Sequence, residues 1–420
     1  MKTLLSRIFL FLLSLLLLLS SCYAEPEETV IRGTPVREGT EPVEEAVSPV
    51  LPNAENGETS VDAGVLPPIR IHLAAIGDIM AHEGTYEAAK VGNTYDFNYM
   101  FADIAPFLSD ADYLVGNLET TFAGRERGYS TYPNFNTPEQ MGESLAWVLG
   151  IDLVSLANNH TMDKGFAGLQ STIAFLDEYG IAHTGAYDSE EAEESLFITE
   201  INGAKVAFIA YTYGSNGGKP KPYSIHITKK EALQEDAAAA REAGADYVIA
   251  LLHWGNEYQR FASKEQRELS EWLFANTEID LIIGNHAHVT QPIERFEVTY
   301  EERAKTGYVL YALGNFTSEQ LFEYSNTGII ADIYLVIDRE DHRSSYVEEI
   351  TYTPIFVDPN PKATGKRYRV ISVRQAVLDY EAGADDLISS KEYQQLSQYL
   401  MDYEELLCTD ERVREGDLPS

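Results

Sequence analysis

Asp280-Leu281-Ile282-Ile283-Gly284-Asn285-His286-Ala287-His288 is a short apolar strand that stops at a glycine and delivers two imidazoles two residues apart. Adjacent exposed imidazoles have no packing motive, so this ending reads as a ligand-bearing turn rather than a connection. The same cadence recurs outward along the chain. Ile71 to Ile76 stops at Gly77-Asp78-Ile79-Met80, and Asp112 to Val115 runs into Gly116-Asn117-Leu118-Glu119. Asp152 to Leu156 closes on Ala157-Asn158-Asn159-His160-Thr161-Met162-Asp163, Asp246 to Leu252 on His253-Trp254-Gly255, and Tyr308 to Leu313 on Gly314-Asn315-Phe316. Helical segments separate these strands. One is capped by Thr137 with Pro138 at its first position and ends near Gly150; others run from about Phe166 to Glu178, through the alanines at 237–240, and from Lys264 to Asn276. Strands alternating with helices predict a layered α/β domain.

Open α/β sheets bind ligands outside the carboxyl ends of their strands. The recurrence therefore gathers Asp78, Glu119, Asn159, His160, His253, His286 and His288 at one edge. Their types suit two hard or borderline divalent ions, each with mixed carboxylate, amide and imidazole ligands. His286, His288 and His253 offer imidazoles, Asp78 and Glu119 supply charge and one of them could bridge, and Asn159 offers a carbonyl oxygen. His160 stays free as a general acid beside a leaving oxygen. Taken singly, Asp78 reads more readily as a turn residue and Asn158-Asn159-His160 equally as a self-bonded loop; the strand endings together favour a metal centre. His82 is undecided, and His72, His183, His226 and His342 read as structural or surface groups.

Composition narrows the chemistry. The 420-residue chain carries 31 Lys plus Arg against 67 Asp plus Glu, a formal net charge of -36, which repels nucleic acid over most of its surface. Only Cys22 and Cys408 are present, so neither a disulfide framework nor a cysteine zinc site is available. Lys2 and Arg7 precede an apolar run from Ile8 to Leu19, the layout of a secretory leader rather than a spanning helix. Leu19-Ser20-Ser21-Cys22 resembles the lipobox of bacterial lipoproteins, which implies cleavage after residue 21 and membrane lipid attached at Cys22. The expected location is the extracytoplasmic face of the cell membrane. Residues 22–69, acidic and proline-rich without a lasting period, are expected to form an extended, self-repelling tether.

In this order, over roughly residues 70 to 320, several motifs resemble the CapA family of poly-γ-glutamate capsule synthesis proteins, within the calcineurin-like metallophosphoesterase superfamily. They are Gly77-Asp78, Asn117-Leu118-Glu119, Ala157-Asn158-Asn159-His160 with Asp163 and Gly165, and His253-Trp254-Gly255 with Glu257-Tyr258. Gly284 with His286, His288 and Gln291-Pro292, and Leu313-Gly314-Asn315-Phe316, complete the set. The resemblance implies a four-layered α/β/β/α sandwich and a divalent metal centre, with two ions drawn from Mn, Fe, Zn, Mg or Ca. It maps metal ligation to Asp78, Glu119, Asn159, His253, His286 and His288, and protonation of the leaving group to His160, with Asp163 in the catalytic set. The superfamily's Asp-x-His becomes Asp78-Ile79-Met80, so one imidazole is missing, and either His82 replaces it or that ion is held more weakly.

Asn117, Asn158, Arg125, Lys219 and Trp254 are the candidate substrate-binding residues; Arg125 and Lys219 read more readily as solvated loop charges, and Trp254 at least as readily as a packed aromatic. The implied work is hydrolysis in making, anchoring or trimming poly-γ-glutamate or another anionic envelope polymer, with polymer synthase or export subunits as partners. A non-catalytic assembly subunit and a general surface phosphoesterase are the alternatives. The organisation expected is leader 1–21, tether 22–69, catalytic domain 70–340 and a C-terminal extension 341–420 packed on the sandwich, with Gly328 to Ile337 completing the second sheet.

Overall fold

A computed structural model of the chain describes residues 67–359, 367–384 and 388–419. The leader, Cys22 and nearly all of the tether lie outside these residues. Two sheets face each other. In the first, the order is Arg369–Ser372, Tyr346–Asp358, Thr327–Ile337, Ile69–Ile79, Tyr113–Leu118, Leu153–Ser155 and Ala182–Thr184; Asn315–Thr317 and Val413–Glu415 pair beside it. In the second, the order is Ile293–Tyr300, Arg303–Leu310, Leu281–Asn285, Tyr247–His253, Ala204–Thr212 and Phe197–Ile201.

Side chains on a strand alternate between faces, and that period of two builds the layers. Ile71, Leu73 and Ala75 enter the core between the sheets, where they meet Val206, Phe208, Ala210, Ile249 and Leu251. Ala74 and Ile76 face the other way, onto Leu169, Ile173 and Leu176 of the helix Gly165–Tyr179. On the far side, Ala207, Val248 and Ala250 pack against Leu233, Ala237 and Ala240 of Lys230–Glu242 and Leu273 and Phe274 of Lys264–Asn276. The result is α/β/β/α. Parallel strands buried on both faces read as continuous apolar runs, which is how they announced themselves in the sequence.

Several elements differ from the sequence reading. The helix expected at Thr137 begins at Gln140 and widens into a π-turn over Leu145–Leu149 before Gly150. Thr137 does not cap it, because its hydroxyl pairs with that of Thr120 at 2.7 Å. Thr327–Ile337 joins the first sheet, antiparallel to Ile69–Ile79, rather than the second. A long strand, Tyr346–Asp358, pairs with it in turn, so residues after 340 supply three strands to that sheet. Helices Val373–Ala382 and Ser390–Leu407 place Val377, Leu396, Tyr403 and Leu407 in the core between the sheets. The hairpin Ile293–Tyr300/Arg303–Leu310 had no visible signal, since Glu301 and Glu302 turn at positive φ where such turns usually carry Asn or Gly.

Candidate metal centre

Parallel pairing of Tyr247–His253 with Leu281–Asn285 sets His253 opposite Asn285, and pairing of Ile69–Ile79 with Tyr113–Leu118 sets Asp78 opposite Asn117. Two glycines allow loop backbones to touch here. A Cβ at Gly77 would lie 1.9 Å from the Gly314 carbonyl oxygen, and one at Gly284 would lie 2.1 Å from that of Tyr311. The Asp78 amide donates to the Gly314 oxygen at 2.9 Å, which fixes the carboxylate's loop. His286 and His288 adopt φ of 99° and 57°, a region side-chain-bearing residues enter uncommonly. Their backbone conformation turns both imidazoles into the centre.

Six expected ligands are brought together. Asp78, Glu119 and His253 bring donor atoms within 4.8 Å of one another, and so do Glu119, His286 and His288. Glu119 belongs to both groups. Asn159 joins through Oδ1, 2.6 Å from His253 Nε2. Both Glu119 carboxylate oxygens are buried without a hydrogen-bond partner, with His253 Nε2 and His288 Nε2 at 3.5 and 3.8 Å from Oε1. His286 Nδ1 is likewise unpartnered. Buried polar atoms are nearly always satisfied, so unpaired acceptors converging from two strand ends fit divalent cations.

The electrostatics point the same way. Burial opposes ionisation of Asp78, yet the hydrogen bond and charge of His288 hold its carboxyl down at about 2. Burial and the neighbouring Asp78 push Glu119 well above the usual carboxylate range. Burial drives His253 down to about 3 and, with the charges of His253 and His288, His286 down to about 2. His288 goes the other way: burial is outweighed by Glu119 and Asp78, which raise it to about 9. Its Nδ1 lies 3.0 Å from Asp78 Oδ2 and 3.1 Å from Asn315 Oδ1.

Beside the ligands, His160 Nδ1 lies 2.7 Å from Asp163 Oδ2, which also accepts the Phe135 amide at 2.7 Å. The ring edge rests on Phe135, and Nε2 makes no hydrogen bond among the described residues. Burial opposes the charged form of His160, but the Asp163 hydrogen bond and the Glu119 charge raise its pKa.

Other candidates have different work. Asn117 donates to Asp78 Oδ1 at 2.7 Å, and Asn158 donates to the Leu118 carbonyl at 2.8 Å and accepts the His160 amide at 3.1 Å, so both brace the loops rather than face substrate. Trp254 is buried, donates Nε1 to the Tyr311 carbonyl at 3.0 Å and packs in the core between the second sheet and its helices; it is not a platform. Arg125 is exposed and donates to the Asn93 carbonyl, and Lys219 is exposed on the loop whose Asn216 amide donates to the Asn159 carbonyl at 2.8 Å; among the described residues no hydrogen bond or ion pair ties either to a ligand residue. His82 accepts the Glu319 amide through Nδ1 and stands outside both ligand groups, while Met80 is a buried apolar residue at the vacated position. Asn315, which holds His288, had no role assigned from sequence; its signal was the same glycine-polar strand ending that marked Asp78.

A family profile described as bacterial capsule synthesis protein PGA_cap matches residues 72–320. The capsule biosynthesis protein CapA of Bacillus anthracis is 26% identical over 260 residues, covering 60% of this chain and 60% of that protein. The PGA biosynthesis protein CapA of Bacillus subtilis (strain 168) is 27% identical over 252 residues, covering 58% of this chain and 62% of that protein. The chain thus spans about three fifths of the length of these relatives. Among solved structures, the NAD nucleotidase of Haemophilus influenzae aligns with a TM-score of 0.46 at 12% identity, over 81% of this chain and 61% of that one. With more than half of its length matched by the profile, the chain belongs to the bacterial capsule synthesis protein PGA_cap family.

Proposed function

We propose that this protein is a metal-dependent hydrolase, held at the extracytoplasmic face of the cell membrane through lipid on Cys22, that acts on poly-γ-glutamate or a related anionic envelope polymer. The observation that carries the reading is Glu119, buried and unpaired between two groups of ligands, with the His160–Asp163 pair alongside. The names of the relatives support the polymer. Asp78, Asn159, His253 and Glu119 would hold one ion, and Glu119, His286 and His288 a second. Bound there, divalent ions supply Lewis-acid polarisation of the electrophile and a water acidic enough to act near neutral pH.

The chain's own residues do the rest. Asp163 orients the imidazole of His160 through Nδ1 and favours its protonated form, so Nε2 is placed to give a proton to the departing oxygen or nitrogen. Phe135 keeps one edge of that imidazole dry. Asn117 and the His286 amide orient Asp78. Water then adds across the scissile bond, its hydroxyl to the electrophile and a proton to the leaving group.

The test is metal analysis and poly-γ-glutamate and phosphoester hydrolysis with the full-length protein, beside His286→Ala and His160→Ala. The reading expects metal in the wild type, less in His286→Ala, and metal without turnover in His160→Ala. Equal, negligible metal in wild type and His286→Ala removes it. Full envelope polymer in cells carrying a metal-replete His160→Ala protein would instead assign an assembly subunit.

A further inference from the structure

We infer that the hydroxyls of Tyr213 and Tyr258 form a pair of neutral hydrogen-bond donors at the mouth of the metal centre, receiving oxyanion oxygens of the substrate, whether phosphate or carboxylate. The inference rests on the hydrolase reading and names how that site recognises its ligand.

Both tyrosines are fastened to the loops that carry the imidazoles. Tyr213 follows the strand Ala204–Thr212, and its amide donates to the His253 carbonyl at 3.0 Å. Its ring centroid is 4.5 Å from that of His286 and 6.2 Å from that of His253. Tyr258 donates its amide to the carbonyl of Ala287, between the two metal-facing histidines, at 2.7 Å. That bond accompanies a φ of 62°, uncommon for a bulky residue and a hint of function. The Tyr258 ring lies 5.8 Å from His288, with Phe322 4.1 Å away. The two rings therefore border different imidazoles, one beside His286 and His253, the other beside His288.

Their hydroxyls are free among the described residues, as those of several other tyrosines are, but these two rings lie against the imidazoles of the centre. Tyr129, Tyr211, Tyr311, Tyr324 and Tyr368 each donate to a carboxylate. Among the described residues neither Tyr213 nor Tyr258 donates its hydroxyl to anything, and Tyr213 is 46% exposed. A lysine or arginine placed here would collapse onto Asp78 or Glu119 as an ion pair. A phenol carries a donor without a charge at neutral pH, so it stays available beside carboxylates. Arg125 is tied to the Asn93 carbonyl and Lys221 is laid over the Phe166 ring at 3.5 Å, so these two loop cations are already engaged.

Tyr213→Phe and Tyr258→Phe keep the rings and remove only the hydroxyls. Full-length manganese-loaded protein is titrated calorimetrically with inorganic phosphate and, separately, with glutarate, and metal content is measured on the same samples. Each variant is expected to keep its metal and thermal stability and to bind at least one probe about tenfold more weakly. A loss confined to phosphate identifies a phosphoryl oxygen as the ligand, and a loss confined to glutarate a carboxylate. Variants that bind both probes as tightly as the wild type, with metal intact, overturn the inference and leave the hydrolase reading standing. A metal-loaded wild type that binds neither probe overturns it as well. A wild type that holds no metal removes the hydrolase reading, and this inference with it.

Discussion

Glu119→Gln separates the two things that residue does. Glutamine keeps the volume of a side chain that is 0% exposed and removes its charge. In chelator the native carboxyl is destabilising: burial and Asp78 push its pKa well above the ordinary value, so the folded state binds a proton that the unfolded state has released. A buried polar group left unpaired costs about 1–3 kcal/mol and an ionised one more, and the uncharged glutamine amide is relieved of that excess, which is of the same order. With about 2.1 cal/mol/K of unfolding entropy per residue, a body of roughly 340 residues loses about 0.7 kcal/mol per degree near its midpoint. The variant should therefore melt about 1–4 °C higher than the wild type in chelator. Metal reverses the order. A ligand at 100 times its Kd stabilises by about 2.7 kcal/mol, or about 4 °C on the same scale, for each site. Because Glu119 belongs to both ligand groups, the variant forfeits the gain at both. The assay is a pair of melts, in EDTA and in manganese or zinc, with bound metal quantified. A variant that rises with metal as far as the wild type, or that melts lower in chelator, refutes the reasoning.

Further outcomes are expected. At matched metal occupancy, His160→Ala should lower hydrolysis of poly-γ-glutamate or p-nitrophenyl phosphate about 10²–10⁴-fold, and Asp163→Asn should lower it too without releasing metal; unchanged turnover in both contradicts the general-acid assignment. Gly77→Ala sets a Cβ against the Gly314 backbone at 1.9 Å, which no rotamer relieves, so a loss above about 4 kcal/mol and poor soluble yield are expected. Gly214→Ala is the control, with nothing within 4 Å of the added carbon. In chelator, His288 contributes stability that is full below its unfolded pKa of about 6.5 and is lost as pH rises through about 9, because Glu119 and Asp78 outweigh burial. Midpoints measured from pH 6.5 to 9 in EDTA should fall; a flat profile contradicts the His288 environment.

What the sequence made legible was whatever a strand ending alone determines. Asp78, Glu119, Asn159, His253, His286 and His288 converge because each stands at or just past the carboxyl end of a buried strand, and parallel registry brings such ends to one edge. Direction within a loop was not legible. Asn117 and Asn158 stand at the right places, yet their amides are consumed by Asp78 and by the Leu118 carbonyl, contacts across about 40 residues that no local pattern encodes. Trp254 follows His253 in the chain and so points to the opposite face, into the helix-side core, by the alternation of side chains along a strand. Arg125 and Lys219 were chosen for charge, and charge on a loop does not fix where the loop leads. The sheet membership of Thr327–Ile337 was hidden because an antiparallel strand buried on both faces carries no mark of its partner.

The charges at the centre make one last consequence testable. In chelator near neutral pH, Asp78, held at about 2, is ionised, and His288, raised to about 9, carries a proton. Glu119, pushed well upward by burial and Asp78 and held back by the His288 charge, competes with His288 for a proton. Protons therefore occupy the places that cations would take, and the buried cluster approaches neutrality without them. A divalent ion needs the imidazole of His288 and the carboxylate of Glu119 unprotonated, so loading must expel about one proton from His288 and up to one more from Glu119. Titrating metal into the chelator-treated, dialysed protein at pH 7, in buffers of different ionisation enthalpy, counts them directly. Between about one and two protons per loaded centre are expected, falling toward zero above pH 9, with apparent affinity climbing over the same interval. Glu119→Gln should cut the released count, because it removes that carboxyl and also the largest charge holding the His288 proton. Metal uptake with no buffer dependence at pH 7 would mean that the ions enter elsewhere.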